Sequence, residues 1–143
     1  MKYSRRDLTF LLPALAAAAG EPQPATLPSH AYRFEDLPVR ESGENRSRAV
    51  FSGLTHTGFA LDLHETELGP GMAPHPAHHH EHEEIVIIRE GLLEVTISGK
   101  VTRLGPGSVA FLASGDEHGW RNVGTTRAHY YVLALGREGK QAK

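Results

Sequence analysis

The chain has 143 residues, a formal net charge of −2 and no cysteine. This length is sufficient for one domain and too short for two. The lack of cysteine excludes disulfides, thiolate metal ligands and cysteine nucleophiles. No basic run occurs beyond the N-terminus, which argues against nucleic acid as a partner.

The N-terminus has the composition of an export signal. Residues 2–6 include three basic side chains, and residues 8–19 are apolar apart from one threonine and end in four alanines. This apolar stretch is shorter than the roughly 20 residues that span a bilayer. The segment 4–8, Ser-Arg-Arg-Asp-Leu, resembles a twin-arginine export signal. We therefore predict a signal peptide over residues 1–19, a periplasmic or extracellular location, and no stable membrane span. The alternatives are an ordinary secretory signal and a disordered N-terminus.

Residues 20–48 show no apolar periodicity and are predicted to be a linker and an N-terminal arm. The part from 20 to 30 is rich in proline, and arginines alternate with acidic residues over 31–48. Such an arm either packs against the domain or a second subunit, or lies in solvent.

From residue 49 onward the pattern is that of β-structure. Short apolar runs are separated by turn residues, and Leu93, Val95 and Ile97 alternate with polar residues as in a half-buried antiparallel strand. The candidate strands are 49–52, 59–67, 84–89, 92–98, 101–104, 108–112, 119–122 and 128–135. An all-β domain is therefore predicted over residues 49–136, with a C-terminal tail at 137–143.

The segment 78–84 contains four histidines and three carboxylates. Side chains i and i+2 of an extended strand point to the same face, so His78 and His80 can aim at one point. Glu84 can join them after a short bend. Two imidazoles and a carboxylate that converge in this way form a site for a divalent metal ion.

Two motifs with fixed internal spacing resemble the paired motifs of the cupin superfamily. They read His78-x-His80-x-x-x-Glu84 with Gly91 seven residues on, and Gly107 followed by Ala113-x-Gly115-x-x-His118-x-x-x-Asn122. The sequence departs from the family pattern at two positions: the loop from Gly71 is one residue longer, and Ala113 replaces a proline. The resemblance implies a jelly-roll β-barrel and the metal ligands His78, His80, Glu84 and His118.

A set of three imidazoles and one carboxylate leaves about two positions open on an ion that prefers six ligands. We expect one divalent transition metal per chain, with iron or manganese favoured over nickel or zinc. The resemblance further implies a homodimer, and a quercetinase-like, metal-dependent oxygenase that acts on a small organic substrate. The alternatives are a non-catalytic module that binds metal or a small molecule, and a metal-dependent isomerase.

Beyond the metal ligands, Trp120 shares strand parity with His118 and is expected either to line the substrate pocket or to fill the core. Glu84, His129 and His64 are the candidates for a catalytic role. Each of the two histidines would be a proton-transferring group inside the barrel or a structural residue, and the sequence does not say which of them faces inward.

Three further histidines lie close to the first motif. His79 has the opposite parity to His78 and is expected to face away, and His82 falls in the bend before Glu84. His75 lies in a proline-rich loop, either at the pocket mouth or in solvent. None of the three is predicted to be a ligand.

Overall fold

The computed structural model describes residues 26–137, which form one short 3₁₀ turn and nine β-strands. The turn is Phe34–Asp36. The strands are β1 (Val39–Ser42), β2 (Asn45–Leu54), β3 (Phe59–Leu68), β4 (Glu83–Glu90), β5 (Leu93–Ile97), β6 (Lys100–Leu104), β7 (Val109–Leu112), β8 (His118–Asn122) and β9 (Ala128–Arg137).

Three predicted segments lie partly or wholly outside the described residues: the signal peptide at 1–19, the first part of the linker, and all but the first residue of the C-terminal tail. Between residues 26 and 137, no helix has the length and apolar character needed to cross a bilayer.

The strands form two sheets in which every neighbouring pair is antiparallel. The larger sheet has the order β1-β2-β3-β9-β4-β7, and the smaller has the order β6-β5-β8. The predicted all-β fold is confirmed.

The core lies between the two sheets, where alternate side chains meet. Val86 and Ile88 of β4 and Tyr130 and Val132 of β9 project from the larger sheet, and Val95 of β5 projects from the smaller one. Their neighbours in sequence point outward, because successive side chains of a strand alternate between its two faces. This alternation defines an inner face, toward the core, and an outer face of the larger sheet.

The larger sheet extends further toward the N-terminus than the apolar pattern indicates. Only residues 49–52 were predicted as the first strand, whereas β2 begins at Asn45 and pairs with an additional strand, β1. Cross-strand ion pairs hold this region. Arg46 Nε lies 3.1 Å from Glu41 Oε1 of β1, and Arg48 Nη1 lies 2.8 Å from Glu65 Oε2 of β3. The alternating charges therefore stabilise strand pairing across the sheet edge.

The turn between β4 and β5 depends on Gly91. Its φ is +85°, and an added Cβ would lie 2.6 Å from the Cα of Ala128. Both the backbone conformation and the space available exclude a side chain there. Gly99, in the turn between β5 and β6, has nearly the same φ of +82° but no atom within 4 Å of an added Cβ.

Replacing Gly91 with alanine is expected to lower the free energy of unfolding by roughly 3 kcal/mol, from left-handed strain and from the clash with Ala128. Gly99→Ala is the matched control and should cost only the strain, about 1 kcal/mol. Chemical denaturation of both variants measures the difference. Equal losses would contradict the role assigned to the close approach at Gly91.

Candidate metal centre

The site is built where the segment before β4 runs alongside β8. His78 and His118 exchange two backbone hydrogen bonds, at 3.0 and 2.8 Å, and the Gly115 N–H donates to the carbonyl of His80 at 2.9 Å. Further along, the N–H of Asn122 donates to the carbonyl of Met72 at 2.9 Å. The loop thus acts as an irregular additional strand of the smaller sheet.

Gly119 makes this close pairing possible. A Cβ at this position would lie 3.1 Å from the Cα of Ala77 and 3.2 Å from its Cβ. Any side chain would therefore push the loop away from β8. Because Gly119 stands between His118 and Trp120, the loop approaches β8 at the level of the histidines.

The pairing brings three imidazoles together. His78, His80 and His118 each offer a ring nitrogen, and these three atoms lie within 4.8 Å of one another. The ring centroids are 5.1 Å apart for His78 and His80, 4.9 Å for His78 and His118, and 4.7 Å for His80 and His118. The parity argument from the sequence predicted this arrangement of His78 and His80, and β8 adds His118.

Backbone carbonyls orient two of these rings. His80 Nδ1 lies 2.8 Å from the carbonyl oxygen of His82, and His118 Nδ1 lies 2.8 Å from that of Asp116. A carbonyl only accepts, so each Nδ1 carries the proton and donates it. The Nε2 atom of each ring is therefore left with a free lone pair, which is the form that binds a metal ion.

Glu84 joins the cluster from the start of β4 in the larger sheet. Its Oε1 atom lies 3.3 Å from His80 Nε2 and 3.3 Å from His82 Nε2, and its Oε2 atom lies 3.5 Å from His118 Nε2. The carboxylate, predicted from sequence as the fourth ligand, is buried beside the imidazoles.

His82 lies closer to the centre than the sequence indicated. Its ring stacks on that of His80, with centroids 3.5 Å apart and an interplanar angle of 9°. His80, His82 and Glu84 form a second group whose ligand atoms lie within 4.8 Å of one another. Since His82 sits in an irregular bend, strand parity carried no information about its direction. His79 is exposed, as its parity predicted.

The donor atoms fit a metal ion. His78 Nδ1, His80 Nε2, Glu84 Oε2 and His118 Nε2 are buried and have no hydrogen-bond partner among the described residues. Buried polar atoms rarely stay unpaired, because their desolvation is not offset. Burial also lowers the pKa of His78, with neighbouring imidazoles acting in the same direction, so that ring stays neutral. These histidine and glutamate groups could hold a metal ion.

An aromatic wall adjoins the imidazoles. The Trp120 ring lies parallel to the His118 ring within 10°, with centroids 6.1 Å apart, and meets Tyr130 edge to face at 5.9 Å. Trp120 is buried, and His75 contacts both Trp120 and His78 from the exposed side. Trp120 Nε1 and Tyr130 Oη are two more buried atoms that lack a hydrogen-bond partner in residues 26–137.

A cavity of about 660 Å³ opens on the inner face of β1, β2 and β3. His64 and Asp62 line it, with His64 Nδ1 3.2 Å from Asp62 Oδ1. This hydrogen bond to His64 lowers the pKa of Asp62. His64, one of the catalytic candidates, therefore faces inward.

His129 faces the opposite way. It lies on the outer face of β9, with Nδ1 3.4 Å from Glu65 Oε1 and Nε2 4.0 Å from Glu90. Arg48 bonds both Glu65 and Glu67, and its guanidinium stacks 4.4 Å from the Phe34 ring. His129, the other histidine candidate for catalysis, thus belongs to a covered ionic cluster on the far side of the sheet from the imidazoles.

The comparisons agree with this architecture. Residues 64–134 match the profile of a family described as a cupin domain. No curated protein sequence matches the chain.

Solved structures share the fold. An RmlC-like cupin from Shewanella frigidimarina is 19% identical, with 78% of this chain and 95% of that chain covered and a TM-score of 0.62. A predicted oxalate decarboxylase from Thermotoga maritima is 19% identical over 75% of this chain and 99% of its own, with a TM-score of 0.64. The polyketide cyclase RemF from Streptomyces resistomycificus is 22% identical over 82% and 89%, with a TM-score of 0.57. At these identities the likeness shows the jelly-roll fold alone.

Replacing His80 with glutamine should remove one of the converging nitrogens and weaken Zn²⁺ binding roughly a hundredfold or more, since losing even an outer partner of a ligand costs 10–100-fold. His79→Gln is the matched control, because His79 is next to His80 in the sequence and its side chain is exposed. Competition titration against a chromogenic chelator measures both affinities. Equal affinities in the two variants would remove His80 from the site.

Proposed function

We propose that this protein is a cupin, as the match of residues 64–134 to a cupin domain suggests, and that it is a metal-dependent enzyme that carries out a dioxygenase-like reaction on a small organic substrate. The proposed ligands are His78, His80, Glu84 and His118. His82 is close enough to Glu84 either to orient its carboxylate or to replace it as a ligand.

One observation carries the proposal: a set of buried, unpartnered nitrogen and oxygen atoms converges at one end of the barrel interior. A purely structural cluster would give each of these atoms a well-formed hydrogen bond. The Nδ1 atoms of His80 and His118 are paired in that way, and their Nε2 atoms are the ones left free.

The donor set favours a redox-active ion over a closed structural site. Imidazoles and a carboxylate without thiolates suit iron or manganese, and they leave coordination positions open. When bound, such an ion supplies Lewis acidity and access to dioxygen chemistry.

The protein's own residues bind and orient the substrate. Trp120 and Tyr130 form a buried wall beside His118, and the Tyr130 hydroxyl, which interacts with Trp120 and Thr66, can donate a hydrogen bond to substrate oxygen. Burial raises the pKa of Tyr130 well above its ordinary value, so the phenol stays protonated and acts as a donor. His64, held by Asp62 on the same inner face, is the candidate for moving a proton.

We expect the purified protein to contain about one iron or manganese ion per chain and to consume oxygen with members of a catechol and flavonol panel. Both properties should be lost in a Glu84→Ala, His118→Ala double variant that keeps the circular dichroism spectrum of the parent. Mass spectrometry of the metal and an oxygen electrode are the measurements.

A protein without bound metal would overturn the proposal. Zinc or mixed metals well below one per chain, together with tight ligand binding and no oxygen uptake, would instead identify a non-catalytic binding module.

We also propose that the protein is exported by the twin-arginine route and acts as a homodimer. The basis for export is the composition of residues 1–19. The basis for the dimer is the exposed apolar surface on the outer face of the larger sheet, formed by Ile87, Val109 and Phe111.

A native-like host should yield periplasmic protein that begins near residue 20 and sediments as a dimer. Substituting lysine for both Arg5 and Arg6 should retain the protein in the cytoplasm. Export that is insensitive to this change, or a monomer at all concentrations, would contradict the respective part.

A further inference from the structure

We propose that the cavity on the inner face of β1–β3 binds an oxygen-rich organic acid whose carboxylate is held by Arg40. This inference rests on the proposed function, since the other end of the same ligand would lie at the candidate metal centre. It adds the chemical class of the substrate and a residue that selects it.

A continuous row of inward side chains joins the two ends. Arg40 of β1 pairs with Ser47 of β2, Ser47 with Thr66 of β3, and Thr66 with Tyr130 of β9. Directly paired residues of neighbouring strands have side chains on the same face. With strands about 4.8 Å apart, the row covers roughly 14 Å from the sheet edge to Tyr130.

The row ends at the aromatic wall of the site. The Tyr130 ring contacts Trp120, and the Trp120 ring stacks on His118. Of these residues the cavity is lined by Arg40, Ser47 and Thr66. Its floor therefore leads toward Tyr130, which is paired with Thr66 in the row and contacts Trp120. A ligand that extends beyond the cavity along this row would approach the aromatic wall next to His118.

The cavity has the size and polarity for such a ligand. Its volume of about 660 Å³ lies in the range of small-molecule sites, roughly 300–1,000 Å³. Asn45, Ser47 and Thr66 supply hydrogen-bonding groups, and Asp62 with His64 adds a polar pair midway. Leu68 and Pro74 give apolar surface. This lining suits a molecule that carries several oxygen atoms on a carbon frame.

Arg40 gives the cavity a preference for negatively charged ligands. Its two neighbouring arginines on these strands are already engaged, Arg46 with Glu41 and Arg48 with Glu65. Across residues 26–137 no carboxylate forms an ion pair with Arg40, and its side chain lies at the exposed rim of the cavity. A planar guanidinium with free donors is the group best shaped to bind a carboxylate through two parallel hydrogen bonds.

The test compares two ligands that differ in charge but share one catechol. Chlorogenate, the ester of caffeic acid with quinic acid, carries a carboxylate at the far end from its catechol, and its methyl ester is neutral. Anaerobic calorimetry with the metal-containing protein is expected to show chlorogenate bound about tenfold more tightly than its methyl ester, as for a charge-assisted hydrogen bond at a partly exposed site. In Arg40→Gln the two affinities should become nearly equal, with the ester's affinity and the metal content unchanged.

Arg103→Gln is the matched control, because it removes one positive charge from an exposed position on β6, in the other sheet. It should keep the preference for chlorogenate over the methyl ester, which separates a local contact from the net charge of the protein. Equal binding of both ligands to the parent protein, a preference that survives in Arg40→Gln, or no binding of either ligand to protein with full metal content would each overturn the proposal.

Failure of the metal centre would look different. It would appear as missing metal by mass spectrometry, with both catechols losing affinity together. The ratio of the two dissociation constants would still report on Arg40, because the catechol end is common to both ligands.

Discussion

The antiparallel pairing of His78 with His118 is the constraint on which the site depends. Two backbone hydrogen bonds fix the loop before β4 against β8, and they set two imidazoles from distant parts of the chain side by side. The pairing is possible because Gly119 leaves room for the backbone at Ala77. His80 then follows by strand parity, and Glu84 follows because the next strand begins beside it. The glycine at position 119 of β8 thus allows the loop to approach, and the loop in turn positions the candidate ligands.

Much of this arrangement was predictable from sequence, because spacing encodes direction wherever the backbone is extended. His78 and His80 lie two apart and share a face, and the motif at Gly107–Asn122 predicted that His118 would join them. His82 was not predictable in the same way. It occupies a bend, where the direction of a side chain depends on the local backbone conformation and does not follow the periodicity of a strand or a helix. Only the three-dimensional path brings its ring onto that of His80.

The strands next to the site show a second limit of sequence reasoning. The strands predicted from alternation were those held by apolar packing, whereas β1 and the start of β2 are held by charges. Charged residues in alternation also describe a solvated arm, so pattern alone does not separate the two. In the same way, His64 and His129 both lie on strands, but the register that puts one inward and the other outward is fixed by pairing between β3 and β9. That pairing is a long-range property of the chain.

The candidate metal ligands also join the two sheets. Glu84 belongs to β4 of the larger sheet, and His118 belongs to β8 of the smaller one. An ion held between them would act as a cross-link that must break before the sheets can separate. Its main effect would then be on the lifetime of the folded state, because the bonds to the ion would have to break before the sheets separate. Such a protein would resist proteolysis for as long as it keeps its ion and would become short-lived once a competing chelator removes it.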